Sequence, residues 1–145
     1  MSQIPEATAE IQEQIEPDAV RERVVTVRRR IEEACRTANR DPSEITIVAV
    51  SKTFPMQSIA AGVASGLLHF GENRARELRD KEKARPGRMH GGDVIWRFIG
   101  HLQTNKAKYI ARHADWFDAL DSPRVAEALD ERAAKNDRVL PCLVQ

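Results

Sequence analysis

Short apolar runs alternate regularly with amphipathic stretches along this sequence, which leaves few folds open to it. The first apolar run, residues 45–50, shows almost no polar alternation, which is typical of a strand buried on both faces of a parallel sheet. Before it, from Asp18 to Arg40, apolar residues recur at steps of three and four, which predicts an amphipathic helix. The predicted apolar face of that helix comprises Val20, Val24, Val27, Ile31, Cys35 and Ala38.

The same order continues along the chain. Strands are predicted at residues 45–50, 67–71, 94–99, 116–120 and 139–144, and helices at 18–40, 55–66, 73–84, 104–113 and 123–135. This alternation predicts an α/β fold with about five parallel strands and right-handed crossovers, in either a doubly wound sheet or a barrel. An eight-stranded barrel takes about 250 residues, so five strands would form an incomplete one whose C-terminal strands are missing.

One segment is excluded from this predicted domain, and a second is predicted to be a flexible stretch within it. Residues 1–17 carry two prolines and several Glu and Gln residues with little to bury, which predicts a disordered leader. Residues 85–92 are rich in glycine and basic residues and are predicted to be a flexible stretch. The remaining chain, residues 18–145, is predicted to be one incomplete domain.

The charge and cysteine content exclude several classes of protein. Lys and Arg number 23 against 22 for Asp and Glu, so the net charge of +1 provides no field that would attract nucleic acid or an anionic membrane. No segment approaches the roughly 20 apolar residues of a membrane span. The N-terminus lacks a secretory signal, and Cys35 and Cys142 form no CxxC pair, which favours a reducing, cytoplasmic setting.

Polar residues follow the predicted strands, where parallel α/β proteins bind their ligands. Lys52 comes directly after the first strand. A lysine in this position can be partly buried, which lowers its pKa from about 10.4 and frees the neutral amine to attack a carbonyl group. The alternative is that Lys52 is a solvated charge at the end of a strand.

The other strand-end residues are individually ambiguous. Asn73 and Asn105 are typical helix caps. Gly100 marks either a tight turn or a place where a planar ligand approaches the backbone. His101 is well placed to face a ligand, although a lone histidine at a turn is more often only hydrogen-bonded there. The four histidines never fall at the spacing of a helical metal pair, so no metal site is predicted.

Three segments together resemble the pyridoxal phosphate homeostasis protein family: IVAVSKTFP, HFGENRARE and WRFIGHLQTNKAKYI. The resemblance extends from residue 20 to residue 145, and FIGHLQxNK is its most specific part. It implies a TIM-like barrel similar to the N-terminal domain of alanine racemase, with pyridoxal 5′-phosphate held as a Schiff base on Lys52. By the same resemblance Asn73 and His101 are expected near the cofactor, and Gly100, Gln103 and Asn105 are weaker candidates.

The resemblance also implies a function without catalytic turnover. By this resemblance, the protein is expected to hold, buffer or deliver pyridoxal 5′-phosphate (PLP), and PLP-dependent apoenzymes are the possible recipients. Intact proteins of the family are expected to be mostly monomeric. In the family, a C-terminal part of the protein provides the later strands and the residues that bind the phosphate group. That part has no counterpart in these 145 residues. Two alternatives stay open: a PLP-dependent enzyme resembling an amino-acid racemase, and a truncated chain that no longer binds the cofactor.

Overall fold

The computed structural model describes residues 16–84 and 94–145. The predicted flexible stretch, residues 85–92, lies outside the described residues, and so does the predicted leader except for Glu16 and Pro17. Pro17 is the first residue of a helix, where a proline is tolerated because the first N–H groups of a helix have no partner within it. The helices are α1 (Pro17–Ala38), α2 (Met56–Ala64), α3 (Ala75–Ala84), α4 (Ala107–His113) and α5 (Pro123–Lys135). The strands are β1 (Val48–Val50), β2 (His69–Glu72), β3 (Ile95–Phe98), β4 (Trp116–Leu120) and β5 (Cys142–Val144).

The five strands form one parallel sheet in the order β1-β2-β3-β4-β5. In a doubly wound sheet the strand order reverses at a switch point, whereas in a barrel each new strand is added on the same side of the last. The consecutive order is therefore that of a barrel. With right-handed crossovers it places all of the crossover helices on one face of the sheet.

β1 is shorter and less buried than its sequence predicts. Only Val48, Ala49 and Val50 pair with β2, and Val50 is 51% exposed. The expectation of a strand buried on both faces is wrong here, because β1 is the edge of the described sheet and helices cover only one of its faces. The same holds for Val27 of α1, which is 41% exposed although the helical pattern placed it on the apolar face.

The core lies between the sheet and the helices. Phe98 packs against Phe117 with their ring centroids 5.8 Å apart, and Phe70 contacts Trp96 at 6.3 Å. Ile110 of α4 is fully buried against this layer. These aromatic residues alternate along each strand with residues of the opposite face, as the period of two in a strand requires.

The opposite face of the sheet carries a buried polar group at its centre. The guanidinium of Arg97 donates two hydrogen bonds to Asp118, at 2.6 and 2.8 Å, and lies 4.5 Å from the centroid of the Trp116 ring. His69 Nδ1 is 3.4 Å from Arg97. Burial, together with the charge of Arg97, lowers the pKa of His69. On this opposite face, a bidentate ion pair between Arg97 and Asp118 therefore joins β3 to β4.

Across residues 16–84 and 94–145, no helix combines the length and the apolar character that crossing a membrane requires.

We expect Ile110→Ala to lower the free energy of unfolding by roughly 2–5 kcal/mol, because it leaves a cavity in the layer between α4 and the sheet. Val139→Ala is the control, since Val139 is 93% exposed and its truncation is expected to cost less than about 0.5 kcal/mol. Urea unfolding followed by tryptophan fluorescence, to which the fully buried Trp96 and also Trp116 contribute, measures both changes. Equal unfolding midpoints for the two variants would contradict the core described above.

Candidate functional site

The polar segments that follow the strands meet at one edge of the sheet, as parallel strands require. Backbone hydrogen bonds continue past the ends of the strands: Ser51 N donates to Gly71 O at 3.0 Å, and Ile99 N donates to Glu72 O at 2.9 Å. The predicted alignment of the strand ends is confirmed. It brings the segments around Lys52, Asn73 and His101 to the same edge.

Lys52 lies in the turn that follows β1, and its side chain is exposed. Of the two states that the sequence leaves open for Lys52, partly buried or solvated, the structure has the solvated one. The reason is that backbone hydrogen bonding to β2 ends at Ser51, so the turn places Lys52 beyond the last residue that pairs with a neighbouring strand. The amine of Lys52 is accessible from solvent while the backbone next to it is fixed, as the following contacts show.

Thr53, the residue after Lys52, has a φ of 67°, in the left-handed region that β-branched residues rarely adopt. Its backbone N–H donates to Glu77 Oε1 of α3 at 2.6 Å. Phe54 N donates to Ser51 O at 3.1 Å and closes the turn around Lys52. A carboxylate on a neighbouring helix thus holds a backbone conformation that threonine would otherwise disfavour.

Beneath the turn lies a group of four residues, Ser51, Glu72, Glu77 and Lys81, which we term the anchoring cluster. The Lys81 ammonium donates to Glu72 Oε1 at 2.7 Å, to Glu77 Oε1 at 2.8 Å and to the backbone carbonyl of Ser51 at 2.7 Å. The Ser51 hydroxyl donates to Glu72 Oε1 at 2.6 Å. All three N–H donors of Lys81 are used. The side chain of Glu72 is fully buried and that of Lys81 is 10% exposed.

The two carboxylates of the anchoring cluster titrate differently. Burial raises the pKa of Glu72, although hydrogen bonds from Lys81 and Ser51 oppose the shift. Burial acts to raise the pKa of Glu77 as well, but the hydrogen bonds from Lys81 and from the Thr53 amide outweigh it, so the pKa of Glu77 is lowered. Glu77 is therefore the more firmly ionised of the two, and it is the carboxylate that contacts the turn.

A cavity of about 920 Å³ opens beside the turn, between the β1–α2 loop, α3 and the segment that follows β3. Three of the predicted site residues line it: Asn73, His101 and Gln103. Lys52, Gly100 and Asn105 are not among its lining residues. Its other polar lining residues are Thr53, Arg74, Arg76, Glu77, Asp80, Lys81 and Lys106.

Asn73 and Gly100 are in direct contact at the edge of the sheet. A Cβ atom on Gly100 would come 2.8 Å from Asn73 Cβ and 2.9 Å from its backbone oxygen, so only glycine fits. The side-chain oxygen of Asn73 is buried without a hydrogen-bond partner among the described residues. Asn73 therefore has an unused acceptor at this edge.

Asn105 lies within the short 3-10 turn Thr104–Lys106 and does not cap α4.

His101 lies at the same edge in an ion-pair geometry that the sequence did not indicate. Its Nδ1 atom is 3.0 Å from Oδ2 of Asp121, which follows β4, and the His101 side chain is 74% exposed. Nothing in the spacing of residues 101 and 121 along the sequence indicates that they pair.

The anchoring cluster was also missed, although two signals for it exist in the sequence. Glu72 follows Phe70 by two positions in a strand, so both side chains point to the same, buried face, and a buried carboxylate requires a partner. Glu77 and Lys81 have the i, i+4 spacing of a helical ion pair. Combining the two signals would have placed Lys81 between the carboxylates.

In the described ranges, 16–84 and 94–145, no group of three or more His, Cys, Asp or Glu side chains is arranged to hold a metal ion.

Comparison with curated proteins gives consistent relatives. The chain is 36% identical over 119 residues to the pyridoxal phosphate homeostasis protein of Haemophilus influenzae, which covers 82% of this chain and 49% of that protein. It is 38% identical over 119 residues to the protein of the same name from Escherichia coli K12, covering 82% and 50%. The resemblance to this family is confirmed. The chain spans about half the length of the curated relatives it matches, and no protein-family model matches it.

Several solved structures resemble this chain in fold as well as in sequence. PipY of Synechococcus elongatus, in a structure with PLP bound, is 32% identical with a TM-score of 0.66, covering 85% of this chain and 52% of that one. A protein of Bifidobacterium adolescentis described as unknown is 25% identical with a TM-score of 0.75, covering 88% and 54%. The predicted barrel-type α/β fold is confirmed.

We expect Gly100→Ala to destabilise the protein by roughly 1–3 kcal/mol, because the added methyl group would overlap the backbone of Asn73 and neither segment can move freely at a sheet edge. The shift is measured as a lower midpoint of thermal unfolding. An unchanged midpoint would show that the two segments separate without cost.

We expect the stability advantage of the unchanged protein over Glu72→Gln to be largest at or below the ordinary glutamate pKa of 4.5 and to shrink as the pH rises. The folded protein holds the proton on Glu72 more tightly than the unfolded chain does, so this contribution is lost as the pH rises through the raised pKa. Urea unfolding of both proteins from acidic to neutral pH measures the change. Exposed Glu127→Gln is the control, and a difference that is constant with pH would contradict the raised pKa.

Proposed function

We propose that this chain is the cofactor-holding part of a protein of pyridoxal phosphate homeostasis, and that Lys52 is the residue that bonds covalently to pyridoxal 5′-phosphate. The observation that carries the proposal is the geometry of the Lys52 turn: an accessible amine at the carboxyl edge of a parallel sheet, between two residues whose backbones are fixed by the anchoring cluster. PipY, a related protein, has been described with PLP bound.

The residues of this edge fit the chemical groups of the cofactor. Lys52 provides a primary amine for the aldehyde. The buried, unpartnered side-chain oxygen of Asn73 is an acceptor that a bound ligand would satisfy. Arg74, Arg76 and Lys106 line the neighbouring cavity and supply positive charge of the kind that a phosphate group requires. When bound, the cofactor supplies an electrophilic carbon and an electron-withdrawing ring.

The chain's own residues favour holding the cofactor over catalysis with it. A catalytic site of this chemistry excludes water and places an acid or base beside the reacting carbon. Lys52 is exposed, and the described acid–base pair at this edge, His101 with Asp121, is largely exposed as well. An open site suits a group that must be both captured and released, so we propose a carrier that delivers the cofactor to PLP-dependent apoenzymes.

The setting of the protein follows the same proposal. We place it in the cytoplasm, which the free thiols of Cys35 and Cys142 support because a reducing compartment keeps thiols unpaired. We further propose that residues 18–145 form one incomplete barrel domain, since a single sheet and a single core cluster run through the described part of the chain. The whole protein is proposed to act as a monomer.

We expect Lys52→Arg to abolish the covalent adduct with pyridoxal 5′-phosphate, because a guanidinium keeps the charge but does not provide a nucleophilic amine at neutral pH. The 145-residue chain is mixed with the cofactor, reduced with borohydride and mapped by peptide mass spectrometry. Lys135→Arg is the control, since Lys135 lies on the surface of α5 in an ion pair with Glu131. An adduct that persists in Lys52→Arg at the level of the unchanged protein would rule out the proposed residue.

The same samples distinguish a carrier from an enzyme. Incubation of the cofactor-loaded chain with alanine is expected to give no racemisation and no loss of the amino acid. Turnover that disappears in Lys52→Arg would replace the carrier proposal by that of a working enzyme.

A further inference from the structure

The residues on both sides of Lys52 are held by the same buried side chains. Before Lys52, the backbone carbonyl of Ser51 accepts a hydrogen bond from Lys81 at 2.7 Å and its hydroxyl donates to Glu72 at 2.6 Å. After Lys52, the backbone N–H of Thr53 donates to Glu77 at 2.6 Å. Lys52 itself is exposed. The backbone on both sides of Lys52 is therefore held, and its side chain is exposed to solvent.

The conformation of Thr53 makes this attachment necessary. A φ of 67° is unfavourable for a β-branched residue and persists only where surrounding contacts compensate. The hydrogen bond from its amide to the ionised Glu77 is the described contact that does so, and charge-assisted hydrogen bonds are stronger than neutral ones. Without it, the turn would relax toward ordinary backbone angles and redirect the residue before it.

Stability alone does not account for a charged cluster at this place. Burying charges costs desolvation energy, and well-packed apolar side chains of similar volume commonly stabilise a fold as much or more. An apolar set would, however, provide no acceptor for the Thr53 amide and no donor for the Ser51 carbonyl. What the charges add is a fixed position for these two backbone groups.

We propose that the anchoring cluster, through Glu77 and Lys81, is the positioning device for the Lys52 amine: it holds the turn so that the amine is presented to the cofactor aldehyde from a fixed backbone. This inference rests on the proposed role of Lys52 and deepens it. Glu77 and Lys81 act on Lys52 through the backbone of its neighbours, so they are positioning residues.

The test compares two carboxylates of the same helix in the full 145-residue chain. Glu77→Ala removes the acceptor of the Thr53 amide. Glu82→Ala is the matched control, because Glu82 is also a partly buried carboxylate of α3 with an ion-pair partner, His113 at 2.9 Å, but it does not contact the turn. Glu77→Gln keeps an oxygen that can accept the Thr53 hydrogen bond, and it serves as the conservative variant and as a substitute if Glu77→Ala does not fold.

The first measurement needs no cofactor. In Glu77→Ala the exchange protection of the Thr53 amide is expected to fall about 10- to 100-fold, the usual worth of a hydrogen bond to a charged group. Glu82→Ala is expected to leave that protection unchanged, and Glu77→Gln to retain part of it. Unchanged protection in Glu77→Ala, or an equal loss in Glu82→Ala, would overturn the proposal.

The second measurement follows the reactivity of Lys52. The rate at which pyridoxal 5′-phosphate is trapped on Lys52 by borohydride is expected to fall about tenfold in Glu77→Ala, since a misplaced nucleophile loses rate steeply, and to be unaffected in Glu82→Ala. A Glu77→Ala rate equal to that of the unchanged protein would refute the positioning role. If the unchanged chain forms no adduct, the proposed function fails for this chain, and the acetylation rate of Lys52 by acetic anhydride then decides the positioning inference by the same comparison.

A double variant separates positioning from general loosening of the fold. Glycine adopts the left-handed region without strain, so in a Thr53→Gly background the turn no longer depends on Glu77. The loss of Lys52 reactivity caused by Glu77→Ala is therefore expected to shrink in that background. An equal loss in both backgrounds would show that Glu77 acts on something other than the conformation of Thr53.

Discussion

The ammonium group of Lys81 sits in an almost closed space, and the geometry at the end of β1 depends on how its charge is satisfied there. Each of its three N–H donors reaches a different element: Glu72 at the end of β2, Glu77 on its own helix and the carbonyl of Ser51 after β1. A buried charge is costly unless all its partners are present, so these three elements must keep their relative positions. The Lys81 side chain thereby fixes this edge of the sheet, and with it the position of the backbone around Lys52.

The order of the elements followed from sequence because it depends on local patterns. The five strands and five helices were all predicted in the right order, and β4 and α5 were predicted with the bounds that the structure has. Such patterns indicate which residues face a core. They do not indicate whether neighbouring elements are present to bury those residues completely. The burial predicted for residues 45–50 was wrong for this reason, since it depends on what lies beside β1 and nothing in the run itself indicates that.

Contacts across the fold were harder to infer than elements. Lys52 was identified from its position after an apolar run and from its motif, and Asn73, His101 and Gln103 do line one cavity. The partners that fix the site are 21 residues apart for Ser51 with Glu72 and 24 residues apart for Thr53 with Glu77. A pairing over such a separation is decided by the register of the strands and the rotation of α3, neither of which a single sequence displays. The Arg97–Asp118 fork escaped notice for the same reason.

Besides holding the turn, Glu77 and Lys81 also line the 920 Å³ cavity beside it. A molecule that enters this cavity meets the side chains that hold the backbone around Lys52. Two ligands that act on the same side chains are thermodynamically linked, and the linkage is reciprocal. Whatever an occupant of the cavity does to the hold on Lys52, a group bound to Lys52 does in equal measure to the affinity of that occupant.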